Sequence, residues 1–312
     1  MSLRLEGLTR RFGARVAVDQ LTVEIKRGEI FGFLGPNGAG KSTTFQLLTG
    51  LLAPDAGTLY LDGQAVSALD ARFRARLGVV FQHPSLDGKL TGRENLELGA
   101  ALYGLPRTVA RPRIQEGLAL FELTDRAHEP VERYSGGMRR RLELARVLLH
   151  RPEILIMDEP SAGLDQASLR RFWQQLITLR TEREMTVLCT THQPEEAAYC
   201  DRLAVLDGGR LIACGTPEEL RKRVGGDVIT IEAERPEEIA ATLRAELHLD
   251  PQLVTDSDPP RLLIEAPRAH ELIPRLVERF PSGRLLSVGM RPPSLGDVFV
   301  KLTGRGLGQE AA

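Results

Sequence analysis

An apolar run approaching the roughly 18 residues that a helix needs to cross a bilayer is absent from this sequence. Met1–Arg11 also lacks the apolar core of a secretory signal. The chain is therefore expected not to cross a membrane itself. Cysteine is sparse: Cys189, Cys200 and Cys214 are widely set, with no C-x-x-C spacing. That suits reduced thiols in a cytosolic protein better than a disulfide framework or a zinc site. An excess of charge of one sign is missing too. The formal net charge is −1, so no global field draws nucleic acid, and no nucleic-acid partner is expected. Lysine is scarce, with Lys26, Lys41, Lys89, Lys222 and Lys301 alone against many arginines, which reads as compositional bias. A hydrophobic content of 42% over 312 residues is ample for packed cores in one to three domains.

Against that background two local patterns stand out. Glu29–Leu34 reads as a buried strand, and Gly35-Pro36-Asn37-Gly38-Ala39-Gly40-Lys41-Ser42 follows it, fitting G-x-x-x-x-G-K-[ST]. Glycines let consecutive N–H groups wrap around phosphate oxygens. A helix starting near Lys41-Ser42 and stopping at Gly50 would turn its positive end toward the same phosphates. Lys41 is placed to reach the β- and γ-phosphates, and the Ser42 hydroxyl to ligate Mg²⁺. The second pattern is Ile154-Leu155-Ile156-Met157-Asp158-Glu159-Pro160. Its apolar run suits a central parallel strand buried on both faces. Such a strand delivers Asp158 and Glu159 to the carboxyl end of a sheet, where open α/β folds bind ligands. There an Asp can hold a Mg²⁺ shell, and the adjacent Glu can polarise an attacking water.

Between and beyond these patterns lie Gln82 after Gly78-Val79-Val80-Phe81, Tyr134-Ser135-Gly136-Gly137-Met138 before a basic helix, Ser161-Ala162-Gly163-Leu164-Asp165, and His192 after Val187-Leu188-Cys189-Thr190-Thr191. Taken singly, Gln82 and His192 suit ordinary strand ends, and Arg139-Arg140-Arg141 a solvated helix face. Together and in this order they resemble the ATP-binding-cassette (ABC) ATPases over the first two-thirds of the chain. The resemblance implies that Phe12, Val18, Gly35, Pro36, Asn37, Gly38, Ala39, Gly40, Lys41, Ser42 and Thr43 bind ATP. It implies Ser42, Gln82 and Asp158 on the Mg²⁺ side. It makes Glu159, His192 and Lys41 catalytic, with Asp165 in the D-loop. It also implies that Ser135, Gly136 and Gly137 form a signature that caps the nucleotide of a second subunit, so that ATP joins two subunits and hydrolysis releases them. The chain departs from the family pattern at Tyr134, where Leu is commoner, at Ser161 for Thr, and at Phe12 for Tyr. Phe12 keeps a ring face for adenine but loses the phenol.

The fold class implied is α/β, an ABC cassette with a RecA-like P-loop core, an antiparallel β layer and a helical subdomain at about 90–151. The cassette would span 1–224 and a small α+β accessory domain 225–312. Leu3–Leu8, Val16–Ile25, Gly57–Leu61 and Leu77–Phe81 read as strands, and Glu94–Tyr103, Arg113–Leu123 and Met138–Leu149 as helices of the insert. Met185–Thr190 reads as the next buried strand. Leu203–Leu206 and Arg210–Gly215 form a hairpin around Asp207-Gly208-Gly209, and Thr216-Pro217-Glu218-Glu219 opens a helix. Beyond Gly226 the order is strand Asp227–Glu234, helix Pro236–Leu247, strands Pro251–Thr255 and Arg261–Ala266, helix Ala269–Phe280 and strand Leu285–Met290. That order is compatible with a ferredoxin-like unit, and an amphipathic helix over Pro292–Leu302 follows it. This ending resembles the C-terminal extension of drug and polymer exporter ATPases (ABC-2 type); it carries no recognisable catalytic constellation and reads as a stability or dimerisation appendage, with regulation as the sharper reading.

The leading expectation is a Mg-dependent ATPase subunit of an exporter, paired with a second ATP-binding subunit and an integral-membrane permease at the inner face of the cell membrane. An importer subunit, a soluble ABC ATPase acting on ribosomes or DNA, and a non-hydrolysing nucleotide switch stay open. Against the soluble reading, the chain has neither paired cassettes nor a long coiled-coil insert. Intact Glu159 and His192 argue against the switch.

Overall fold

A computed structural model describes residues 2–83, 85–162, 164–254, 260–280, 284–304 and 306–307. β1 (Leu3–Phe12) and β2 (Arg15–Ile25) open the chain as an antiparallel pair. On β1, Leu3 and Leu5 are buried while Arg4 and Glu6 face out, the period of two expected of a half-covered sheet. β3 (Ile30–Leu34) is buried at every position and leads through the phosphate-loop sequence into α1 (Lys41–Thr49). β4 (Ala56–Leu61) and β5 (Gln64–Val66) complete the first sheet in the order β2-β1-β4-β5.

After the short α2 (Ala71–Arg74), β6 (Leu77–Val80) enters the central sheet. The crossover from β6 to its parallel neighbour β7 (Ile154–Asp158) holds α3 (Gly92–Leu102), α4 (Arg107–Leu120) and α5 (Gly136–Val147). α6 (Gln166–Arg183), β8 (Thr186–Thr191), α7 (Pro194–Ala197), β9 (Arg202–Asp207), β10 (Arg210–Gly215) and α8 (Pro217–Arg221) come next in the chain. The six-stranded sheet runs β10-β9-β3-β8-β7-β6, parallel except for β10 at one edge.

The apolar runs of the central strands split by parity. Phe31, Phe33, Ile154 and Ile156 pack toward the antiparallel sheet and α1 with Leu3, Leu5 and Phe45. Ile30, Leu34, Leu155 and Met157 pack on the other side with the helices, among Leu142, Phe172 and Trp173. Alternation on a strand covered on both faces is what reads in sequence as an unbroken apolar run.

The remaining elements are β11 (Asp227–Ala233), α9 (Pro236–Leu247), β12 (Gln252–Val254), β13 (Arg261–Ala266), α10 (Ala269–Arg279), β14 (Leu285–Arg291) and α11 (Leu295–Thr303). Their antiparallel sheet has the order β12-β13-β11-β14, the split βαβ arrangement of a ferredoxin-like unit. Ile229, Ile231, Leu243, Leu262 and Leu276 form its own core. Val228 and the apolar side of α11 (Leu295, Val298, Phe299) join the core of the preceding elements instead.

Some boundaries move. α4 begins at Arg107, not Arg113, because Pro112 sits inside the helix without ending it. The strand expected over Pro251–Thr255 covers Gln252–Val254, and Thr255 lies outside the described residues. The last helix starts at Leu295, one residue after Ser294, which caps it reciprocally with Asp297.

Candidate active site

The ladder Leu34↔Thr191 and the ladder Asp158↔Thr190 align the carboxyl ends of β3, β7 and β8. Three segments are therefore gathered at one sheet edge: the loop at Gly35, the acidic pair and His192. Gly40 caps α1 at φ 97°, and a Cβ there would stand 2.4 Å from the Ala17 carbonyl, so only glycine fits. Lys41 is 5% exposed and folds back over the loop, its Nζ donating to the carbonyls of Gly35 (2.8 Å) and Pro36 (2.9 Å). Burial lowers its pKa, while Glu159 and Asp158 oppose the shift. Anionic phosphate beside Lys41 would act in the same sense as these two carboxylates.

Asp158, at the end of β7, accepts from Ser42 Oγ at 3.4 Å and from the Thr190 hydroxyl. Burial raises its pKa, and the two hydroxyls offset part of that. Ser42 and Asp158 therefore form one oxygen-rich corner. Among the described residues no group of three or more His, Cys, Asp or Glu could cage a metal ion. A hydroxyl beside one carboxylate instead fits Mg²⁺, which retains waters and substrate phosphates as ligands.

Glu159 turns at φ 44°, unusual for a residue with a Cβ. Its amide donates to both the carbonyl (3.2 Å) and hydroxyl (3.0 Å) of Thr190, which pins the turn. Its carboxylate is held from two sides. His192 Nδ1 lies 3.0 Å from Oε1, and Gln82 Nε2 donates to Oε2 at 3.2 Å. The hydrogen bond with His192 lowers the Glu159 pKa and raises that of His192. The charged pair is thus intact at pH values above the carboxylate's depressed pKa. It is lost as pH rises through the raised pKa of the imidazole. Glu159→Gln is expected to return the His192 titration, followed by its ring-proton NMR shifts, downward toward the ordinary imidazole value; an unchanged midpoint would exclude this pairing.

Other expected site residues lie on neighbouring segments. Phe12 ends β1 at 47% exposure, with the Arg10 guanidinium 5.1 Å over one face of its ring. Val18 is only 1% exposed, in the core with Ala39 and Phe33. A base resting on Phe12 would meet little of it. Ser135 and Gly136 are exposed, with Ser135 Oγ accepting from Met138 N (3.2 Å) as the cap of α5. A Cβ on Gly137 would meet Leu164 and Ser168 at the start of α6. Asp165 caps α6, and its bonds from the Ser168 amide (2.8 Å) and hydroxyl (2.9 Å) lower its pKa. Gly163 lies outside the described residues. Tyr134, the departure from Leu, is buried, and its hydroxyl donates to the Arg126 carbonyl at 2.7 Å. It lies against Gly92, where a Cβ would stand 2.3 Å from the phenol oxygen.

Sequence reasoning did not join Gln82, Glu159 and His192 into one hydrogen-bonded set, because they lie on three segments and only the folded sheet edge brings them together.

Comparison with known proteins gives the family. The sequence model described as "ABC transporter" matches residues 18–162. The chain is 40% identical over 310 residues to the Nod factor export ATP-binding protein I of Ralstonia nicotianae, covering 97% of this chain and 94% of that protein. It is 39% identical over 308 residues to the daunorubicin resistance ATP-binding protein DrrA3 of Streptomyces coeruleorubidus, covering 97% and 96%. Among solved structures, cbiO1 from Clostridium perfringens, part of the ABC transporter complex cbiONQ, matches with TM-score 0.66 and 28% identity over 79% of this chain and 96% of that one. The ATP-binding cassette MJ0796, solved as a dimer in a post-hydrolysis state with ADP and Pi, matches with TM-score 0.62 and 29% identity over 69% and 98%. The chain belongs to the ABC transporter family. It is an ATP-binding, ATP-hydrolysing subunit, and along nearly its whole length it resembles the export and drug-resistance ATP-binding proteins.

Proposed function

We propose that the chain is the ATPase subunit of an exporter: a homodimer closes over two Mg-ATP molecules and drives a separate membrane permease. Residues 1–224 act as the cassette and 225–312 as an accessory domain. Phe12 stacks on the base, and the amides of Gly35–Ser42 receive the phosphates together with Lys41. Ser42 and Asp158 would hold Mg²⁺ from the protein side, with Gln82, whose side-chain amide donates to Glu159, assigned to the same metal. When bound, Mg²⁺ supplies charge neutralisation on the β- and γ-phosphates. Glu159 orients the attacking water, His192 holds the Glu159 carboxylate in place, and Ser135 with the Gly136 and Gly137 amides caps the partner's γ-phosphate. This is positioning and electrostatics, as phosphoryl transfer requires.

The observation that carries the reading is the carboxylate of Glu159 fixed between Gln82 and His192, beside the Ser42–Asp158 corner. The direction of transport rests on the names of the full-length relatives. Among the described residues no helix is long and apolar enough to span a membrane, which fits attachment to the inner face through a permease. The insert offers a face for that contact: a groove of about 800 Å³ between α3 and α4 lined by Arg93, Glu97, Ala101, Leu105 and Arg111. Leu98 and Leu102 are exposed on α3.

Co-purification with the permease and cargo-stimulated hydrolysis test the proposal, with Lys41→Ala as its control. Wild type should bind and hydrolyse Mg-ATP. Lys41→Ala should lose activity and show ATP affinity reduced well beyond calorimetric error. Unchanged affinity would contradict the phosphate-loop assignment, and cargo-independent hydrolysis with no permease partner would contradict the transport assignment.

A further inference from the structure

Arg140 lies on α5, five residues after Ser135, and it turns inward. The residue is 5% exposed in a helix whose other arginines reach the surface or its edge. Its five N–H donors face carbonyls and one carboxylate. Nε donates to Pro160 O (2.8 Å), Nη1 to Phe81 O (2.6 Å) and Glu143 Oε2 (3.1 Å), and Nη2 to Asp158 O (3.2 Å) and Glu159 O (3.4 Å). Glu143, one turn further and 1% exposed, uses its other oxygen to accept from the Ser85 amide at 2.7 Å.

These carbonyls matter for where they sit. The carbonyls of Asp158 and Glu159 belong to the two peptide planes on either side of the Glu159 Cα, the residue at φ 44°. The Phe81 carbonyl belongs to the peptide plane leading into Gln82, and Ser85 comes three residues later. One rigid, planar group thus holds the backbone on both sides of Glu159 and at the entry to Gln82. The helix that carries this group is capped by Ser135. Burying a guanidinium is costly unless it is fully paired, and burial does lower the Arg140 pKa against the pull of Glu143. A buried ion pair by itself is weak evidence of stabilisation. Its contacts with Glu159 and Gln82 point to orientation.

We propose that Arg140, held by Glu143, is a positioning residue for hydrolysis, locking the Glu159 and Gln82 backbones to the signature helix so that docking of Ser135 on a partner's nucleotide sets the subunit's own Glu159. This inference rests on the proposed roles of Ser135 and Glu159. Arg140→Lys keeps the charge beside Glu143 but cannot span carbonyls in a fixed plane. Arg140→Met with Glu143→Leu removes the pair as a unit and leaves no lone buried charge.

Full-length variants are compared with wild type for melting temperature, Kd for a non-hydrolysable ATP analogue, KM and kcat. Both variants should fold and bind the analogue within about twofold of wild type, with KM little changed. In both, kcat should fall about tenfold to a hundredfold, the effect expected of a small misplacement at the reacting centre. Wild-type kcat in either variant overturns the proposal. So does a loss of kcat matched by an equal loss of nucleotide affinity, or failure of both variants to fold, since each makes Arg140 a structural group only. A wild-type chain that fails to hydrolyse ATP would instead sink the ATPase reading, which keeps the two failures distinct.

Discussion

Glu159→Gln is expected to bind ATP, to lose turnover by about 10²- to 10⁴-fold, and to accumulate as an ATP-bound dimer. The magnitude is that of removing a positioned general base. The substitution keeps the shape of the side chain and leaves the backbone bonds to Thr190 in place, so the fold has no reason to change. It removes the negative charge that lies near Lys41, which should leave the lysine freer to hold phosphate. It also takes from His192 the carboxylate that holds it. With binding intact and hydrolysis gone, the step that opens the dimer is blocked. Single-turnover hydrolysis with size-exclusion chromatography in Mg-ATP would show both effects, and near-normal hydrolysis would sink the assignment.

Ser135→Arg is expected to abolish hydrolysis while leaving ATP binding by the monomer nearly intact. Ser135 is exposed as the cap of α5, and a bulky cation there would obstruct the surface proposed to meet a partner's nucleotide. Loss of the cap costs about 1 kcal/mol, which the buried side of α5 at Leu142, Leu144 and Ala145 should absorb. A melting curve checks that directly. Mixing this variant with Lys41→Ala is the sharper experiment. In a head-to-tail heterodimer one composite site carries both lesions and the other carries none. Activity should return, to about half that of a wild-type dimer for each heterodimer if the two sites act independently. Normal hydrolysis by Ser135→Arg alone, or loss of binding in the isolated monomer, would show that the site is not shared.

Much of this arrangement can be read directly from residue order. A phosphate loop between a buried strand and a helix start, and a second apolar run ending in Asp158-Glu159, locate two strand ends of one sheet, because chemistry and periodicity agree there. The β-α-β-β-α-β order at the end of the chain is legible for the same reason, although strand pairing itself is not. Long-range partnership is the part that sequence hides. Three successive arginines, Arg139, Arg140 and Arg141, suggest a solvated helix face, yet Arg140 is buried. Its partners are mostly backbone carbonyls, which leave no trace in residue identity. Tyr134 likewise looks like a mild substitution until Gly92 and the Arg126 carbonyl are seen to receive its ring and hydroxyl. Pro112 suggests a boundary, yet α4 runs through it.

The left-handed turn at Glu159 sets local comfort against catalysis. Glycine suits such a φ without penalty, whereas a residue with a Cβ there costs about 1–3 kcal/mol. The chain keeps a glutamate at that position and ties its amide twice to Thr190 to hold it. On the role proposed for Glu159, backbone ease and turnover therefore pull in opposite directions at this one residue. By the same proposed role, a glycine chosen there for backbone ease alone would give up the carboxylate held by Gln82 and His192, and turnover with it.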